Sequence, residues 1–323
     1  MPIVNAQQGP RDLSHPETHR GTNPARTPET SPAASPGERL RRPGRLRSLR
    51  LGDVKVTYLP DGAVDFDPRA WLPESTEDYW AAHAANLDDS GRLIGGVGGL
   101  LVEREGRALL IDAGFGPHAE PARPGYPRGA MHGGALLDSL AAAGRSPAEI
   151  EAVAFTHLHR DHIGWAWSPV PGSDVLPFGD CPYLVAEPEW KHRRRLGRFG
   201  VTEEILQTMA PRVRTVSDGE EIFPGVRMVL GSGHTAGHAR YDITAGSERL
   251  IAFGDAMHSP LQVDRPEWAA AVDLDAGQAA LERRLLVAEL ARTGAIGFGV
   301  HFADVVFGRV RLDGCGTAWR PLD

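Results

Sequence analysis

The stretch His157-Leu158-His159-Arg160-Asp161-His162 decides how this chain reads. Three imidazoles and a carboxylate within one short turn suit one purpose above others, gripping metal. Neutral imidazole and carboxylate are the donors that zinc and its neighbours prefer. The residues before it, Ala152-Val153-Ala154-Phe155-Thr156, are apolar, β-branched and aromatic, and read as a buried strand. Ile163-Gly164-Trp165 follow, which places the donors in the loop at that strand's C-terminal end. Alternate residues of an extended chain point to opposite sides. The loop must therefore bend to converge its donors, or serve two ions.

Remote partners strengthen the reading. A lone histidine is most often a core or surface residue, and most of the 13 histidines need no other account. Three further apolar runs, however, also end in donors. Val226 to Leu230 leads into Gly231-Ser-Gly-His234-Thr-Ala-Gly-His238. Leu250-Ile-Ala-Phe-Gly254 leads into Asp255, and Ile296-Gly-Phe-Gly-Val300 into His301. Strand ends that each deliver a ligand imply one site on the rim of a sheet.

In this order the motifs HxHxDH, GHTxGH, GD and a final His make the chain similar to the metallo-β-lactamase-fold hydrolase superfamily, over about residues 51–323. The resemblance implies an α/β (α+β) fold, a four-layer αβ/βα sandwich with the site at its edge. It also implies a ligand set. His157, His159 and His234 would hold one metal, Asp161, His162 and His301 a second, and Asp255 would bridge both. Asp112, ending the run Ala108-Leu-Leu-Ile-Asp-Ala-Gly114, matches the first motif, where the expected role is support rather than ligation. The cofactors expected are two divalent ions, zinc first, with iron or manganese as alternatives.

The activity so implied is hydrolysis by a hydroxide held between two metals, acting on a small ester, lactone or phosphotriester. No G-x-S-x-G nucleophile motif is present to suggest otherwise. Asp161 is placed to orient water or pass a proton. In lactonases that destroy acyl-homoserine lactones, a Tyr commonly stands three residues beyond the bridging Asp. Here that position is His258, and the G-D-x-x-H run resembles the methyl-parathion-hydrolase-like branch instead. His258 is accordingly a candidate for polarising a substrate oxygen. Phe115, Trp165, Trp167 and Phe302 adjoin the ligand loops and are candidates for the pocket wall. One alternative is a thioesterase or glyoxalase-II-like hydrolase, with Lys191-His-Arg-Arg-Arg195 clamping an anionic thiol. A non-catalytic metal-binding module is another.

Composition fits a soluble enzyme: of 323 residues, 41% are hydrophobic and 24% charged. No apolar run approaches the length of a membrane span, and no signal-like segment precedes Leu51, so a cytoplasmic location is expected. Neither Cys181 nor Cys315 stands at a ligand position, which counts against both a disulfide scaffold and β-lactam cleavage. Residues 1–50 differ, with nine Arg, no Lys, four acidic residues and eight Pro. Such a segment is expected to be a disordered, dispensable tail. Removing its +5 from the net −7 leaves −12 on residues 51–323, so no nucleic-acid partner is expected. From Leu51 strand and helix signals interleave. Val54 to Tyr58 reads as a first strand stopped by Pro60-Asp-Gly62, and Asp275 to Thr293 as the longest helix, with Leu281, Leu285 and Leu290 facing inward.

Overall fold

The computed structural model describes residues 35–314 and 316–322. Nine strands form one sheet: β1 (Arg47–Leu51), β2 (Val54–Phe66), β3 (Leu93–Arg104), β4 (Arg107–Ile111), β5 (Ala119–Glu120), β6 (Arg128–His132), β7 (Ala152–Ala154), β8 (Tyr183–Ala186) and β9 (Val213–Val216). Their spatial order is β5-β6-β2-β3-β4-β7-β8-β9, with β1 beside β2. The second sheet has seven strands in chain order: β10 (Glu221–Phe223), β11 (Val226–Leu230), β12 (Ala239–Ala245), β13 (Glu248–Ala252), β14 (Ile296–Phe298), β15 (Phe307–Asp313) and β16 (Gly316–Pro321). Pairing is parallel through β4-β7-β8-β9 and for β13-β14, and antiparallel elsewhere. Parallel neighbours need crossover connections. Helices Arg160–Trp167 and Ala276–Thr293 lie on two of these, after β7 and before β14.

The alternation of side chains along each strand builds the layers. Leu100, Val102, Leu109 and Ile111 point to one face and meet Met228, Tyr241 and Leu250 of the other sheet in a common core. The residues between them, Leu101 and Leu110, point to the opposite face and pack with Val153 against Leu140 and Ile163 on helices. On the far side, Ile251 and Phe253 pack against Leu286, Val287 and Leu290 of the long helix. Helix, sheet, sheet and helix make the expected four-layer sandwich. Strands covered on both faces read as continuous apolar runs, which is why Ala108 to Ile111 shows no polar alternation. Among the described residues, no helix is long and apolar enough to cross a membrane.

Three expectations need correction. The first concerns the tail. Residues 1–34 lie outside the described residues, but residues 35–50 carry a helical turn Pro36–Leu40 and β1, which pairs in register with β2 from Arg47↔Tyr58 to Leu51↔Val54. The basic segment finds a buried counter-charge that composition could not reveal. Asp304 accepts from Arg42 Nη2 at 2.7 Å and from Arg47 Nη2 at 3.2 Å, and the Arg45 main-chain N–H donates to it at 3.2 Å.

Second, β2 does not stop at Pro60-Asp-Gly62 but continues to Phe66 through a bulge. The bulge turns the buried Asp61 carboxylate toward the neighbouring loops. There it accepts from the main chain of Phe115, Gly116, Gly134 and Leu136, and from Trp165 Nε1. Third, Leu281 and Leu285 are exposed on the long helix, and the inward face is Ala279, Ala280, Arg283, Leu286, Val287 and Leu290. Arg283 sits on that face because its guanidinium caps main-chain carbonyls, with Nε donating to Ala256 at 2.7 Å and Nη1 to Trp268 at 2.6 Å.

Candidate metal centre

The donors collect where strand ends of both sheets meet. β7 leads through Thr156 to His157, and His159, in extended conformation, caps helix Arg160–Trp167. Asp161 and His162 therefore stand on the helix's first turn rather than in an open loop. That change from extended to helical backbone is how the motif bends its donors together. His234 comes from the β11–β12 connection, Asp255 from a short 3₁₀ turn after β13, and His301 from the turn after β14. A side chain at Gly254 would come within 2.8 Å of both Thr156 and the His238 ring, so glycine lets this turn close over the first motif.

Two groups result. Donor atoms of His157, His159, His234 and Asp255 lie within 4.8 Å of one another, as do those of Asp161, His162 and His301. The two oxygens of Asp255 divide between them. Oδ2 lies 3.6 Å from His157 Nε2 and 3.3 Å from His234 Nε2. Oδ1 lies 3.2 Å from His162 Nε2 and 3.1 Å from His301 Nε2. Asp161 Oδ2 closes the second group at 3.9 Å from His162 Nε2 and 3.7 Å from His301 Nε2.

The residues fit cations. His157 Nε2, His162 Nε2 and Asp255 Oδ1 are buried without a hydrogen-bond partner, an arrangement that proteins avoid unless something else satisfies the atoms. A cation reaching each donor at about 2.0–2.2 Å would do so. From behind, the rings are fixed by their other nitrogen. His162 Nδ1 donates to Asp112 Oδ2 at 2.9 Å, His234 Nδ1 to Asp273 Oδ1 at 2.8 Å, and His301 Nδ1 to the Gly96 carbonyl at 2.7 Å. Those bonds aim each Nε2 inward and would leave it free as a donor once a cation replaces any proton there. Asp112, held at φ 61°, also accepts from Thr156 N and Oγ1. At Gly96 a Cβ would meet the Val300 carbonyl at 2.8 Å, so only glycine lets the His301 turn approach β3 this closely.

Electrostatics agree. Burial and neighbouring imidazoles push His157 and His159 well below the ordinary histidine range, which keeps them neutral. At His162 burial is overcome by Asp255, Asp112 and Asp161, and at His301 by Asp255 and Asp161; both rings are raised. Asp255 stays well below the carboxylate range despite burial, because His162 and His301 face it. The carboxylates draw positive charge into this spot.

Some supports were not foreseen. His238 is pushed down to about 3, by burial first and then by His234. It is a neutral acceptor for the Asp255 main-chain N–H at 3.0 Å, and its Nδ1 donates to the Gly231 carbonyl at 3.1 Å. Its place in GHTAGH was the available signal. Buried Glu189 accepts from Leu158 N at 3.1 Å and Gly237 N at 2.9 Å, tying the first motif to the second. Asp273 had no local signal.

A cleft of about 560 Å³, counting its open mouth, leads to the donors. His159, Asp161, Asp255, His258 and His301 form its floor, and Phe66, Trp71, Tyr126, Met131, Phe199 and Val272 its apolar walls. The expected wall residues lie elsewhere. Phe115 and Phe302 are wholly buried, the latter against Phe253 and Trp319. Trp165 points into the core and donates to Asp61, while Trp167 stacks on His118 with centroids 4.8 Å apart. Because the motif runs straight into a helix packed on the sheet, the residues after it turn inward. His258 does face the cleft. Its Nε2 lies 3.2 Å from Asp255 Oδ2, its ring is parallel to His301 at 5.6 Å, its edge meets Trp71 at 5.1 Å, and its Nδ1 has no partner.

Comparison with known proteins gives the same picture. The profile of the family described as the metallo-beta-lactamase superfamily matches residues 99–294. A probable metallo-hydrolase of Mycobacterium bovis is 27% identical over 177 residues, covering 49% of this chain and 56% of that protein. The chain thus spans about half the length of the curated relatives it matches. Among solved structures, the dizinc quorum-quenching lactonase AidC, in complex with its product N-hexanoyl-L-homoserine, superposes with a TM-score of 0.73 at 22% identity, over 86% of this chain and 97% of its own. The hydrolase AbOPH, of the beta lactamase superfamily, gives 0.71 at 24% identity, over 88% and 99%. At these identities the likeness establishes the fold.

Proposed function

The chain belongs to the metallo-beta-lactamase superfamily, and from that membership and its donor geometry we propose that it is a dinuclear-metal hydrolase of small esters, lactones or phosphotriesters. The observation that carries this reading is Asp255, whose two oxygens each face a different donor group. His157, His159 and His234 would hold one ion and Asp161, His162 and His301 the other, zinc being the ion this donor set suits best. When bound, the pair supplies Lewis-acid polarisation and water activation near neutral pH.

The chain's own residues do the rest. The Asp161 carboxylate borders the cleft and can orient the attacking water and accept its proton. His258, on the cleft floor with Nε2 beside Asp255 Oδ2, would donate that N–H to the substrate oxygen that gains charge once a bound ion takes up the carboxylate oxygen. Trp71, Phe66 and Phe199 take the apolar part of the substrate and exclude water around the reacting bond. The thioester alternative rested on Lys191 to Arg195. Within that run, Arg193 lies over Trp190 and Arg194 pairs with Glu203 at 3.7 Å, whereas His192 and Arg195 line a small pocket beside His234, so a thioester stays among the substrates to be screened.

Elemental analysis with a turnover screen over lactones, aryl esters, thioesters and phosphotriesters tests the proposal. Two ions per chain and metal-dependent hydrolysis of an ester, lactone or phosphotriester are expected. One ion or fewer after supplementation, or no turnover by metal-replete protein, overturns it.

A further inference from the structure

One wall of the cleft carries charge that the metal site does not use. Arg128, at the start of β6, donates to Glu120 Oε2 at 2.6 Å, and Arg160, between His159 and Asp161, pairs with Glu120 Oε1. All three side chains line the cleft and are largely withdrawn from water, at 15%, 20% and 16% exposure for Arg128, Arg160 and Glu120. The Arg160 guanidinium lies over the Phe115 ring at 5.2 Å and the Trp167 ring at 6.0 Å, and its Nε is buried without a hydrogen-bond partner. The Arg128 guanidinium lies over Tyr126 at the mouth, 5.8 Å away.

Among the described residues, two guanidinium groups pair with the one Glu120 carboxylate, which leaves one positive charge in excess in that cluster. Bracing β5 and β6 against the helix would need one arginine for one glutamate. A second arginine, drawn into an apolar wall, costs desolvation that a structural pair avoids. Asp161 does not offset the excess, since it faces His162 and His301. The surplus of one matches a carboxylate, whereas a phosphate monoester would bring about two negative charges. An arginine fork also meets a carboxylate in two-point geometry.

We propose that Arg128 and Arg160 form a subsite for a substrate carboxylate, so that the preferred substrate is an ester or lactone bearing a free carboxylate away from the scissile bond. The placement of that bond over the donor floor rests on the hydrolase reading above.

Binding and turnover test the two separately. Calorimetric titration of the full-length, metal-replete protein with glutarate is compared with butyrate, which has one carboxylate. Glutarate should bind more tightly to the wild type, and Arg128→Gln should reduce that preference by about 10- to 100-fold, the range for a hydrogen bond to a charged group. Arg128→Lys, which keeps the charge without the fork, should fall between them. In turnover, the mono-4-nitrophenyl ester of glutaric acid should exceed 4-nitrophenyl butyrate in kcat/KM, and Arg128→Gln should shrink that ratio mainly through KM. Equal glutarate-to-butyrate preference in wild type and Arg128→Gln overturns the subsite. A glutarate preference that Arg128→Gln abolishes, in a protein that hydrolyses neither ester, supports the subsite and counts against the hydrolase reading.

Discussion

His162 Nδ1 donates to Asp112 Oδ2 at 2.9 Å, so a residue at the end of β4 sets the direction of a donor on a helix 50 positions later. The bond fixes which His162 nitrogen carries the proton and turns Nε2 toward Asp255. Asp112→Asn would offer an amide that can present its N–H to the ring and select the wrong tautomer. Loss of such a partner typically weakens metal affinity by about 10- to 100-fold. Metal titration should show the loss in the group of Asp161, His162 and His301, with the other group less affected. Unchanged affinity in both would mean that Asp112 serves only to hold Thr156.

Among the described residues, Asp255 is the one carboxylate that faces both donor groups. Asp255→Ala should therefore weaken both sites together and abolish most turnover, whereas His157→Ala should act first on its own group. Metal content and kcat of the two variants check this. An Asp255→Ala protein that still holds two ions and works near the wild-type rate would rule out the shared role.

The donors were legible because each follows a local signal, an apolar run that stops at a donor, and the order of the motifs did the rest. The cleft walls were not. Phe66, Trp71, Tyr126, Met131, Phe199 and Val272 come from separate segments that meet only in the folded chain. Adjacency to the motif misled for Trp165 and Trp167, since the motif enters a helix and its next residues face the sheet. Hydrophobicity misled on the long helix, where buried Arg283 holds an inward position by capping carbonyls and pairing with Asp273, leaving Leu281 and Leu285 outside. Pro60-Asp-Gly62 carried a true turn signal, but Asp61 spends it on a bulge that anchors loops around the site.

Asp304, fully buried, is paired with Arg42 and Arg47, whose side chains remain about a quarter to a third exposed, at 31% and 25%. A chain beginning at Arg50 loses both partners and most of β1. Stranding a buried charge costs about 3–5 kcal/mol, and the partial exposure of both arginines puts the expectation at or below the lower end. The thermal midpoint should fall by several degrees, and no fall would show that β1 is dispensable. At Asp304 burial is outweighed by Arg42, the Arg45 N–H and Arg47, so its carboxyl titrates below the usual 3.8. A depressed carboxyl contributes stability above its unfolded value and loses it as pH falls through the folded one. Asp304→Asn should therefore lower stability at neutral pH and narrow the gap to wild type below about pH 4, as acid unfolding curves would show.

His258 stands between two roles, and its surroundings separate them. Its main-chain N–H is fixed by Gln262 at 2.7 Å and its ring is wedged between His301 and Trp71, so protein contacts hold it on the cleft floor. Its Nε2 lies 3.2 Å from Asp255 Oδ2 and its Nδ1 is buried without a partner, so Nε2–H is the donor that would turn to substrate once a bound ion takes up that carboxylate oxygen. If it acts on substrate, His258→Ala keeps its metal content and loses turnover. Removing one donor to a developing oxyanion costs about 10²–10³-fold in kcat. The lower end is expected, because metal polarisation shares the work. His258→Tyr should recover part of the rate toward lactones, since a phenol can make the same bond. Loss of an ion from His258→Ala would make the residue a ligand, and unchanged turnover would reduce it to packing against Trp71.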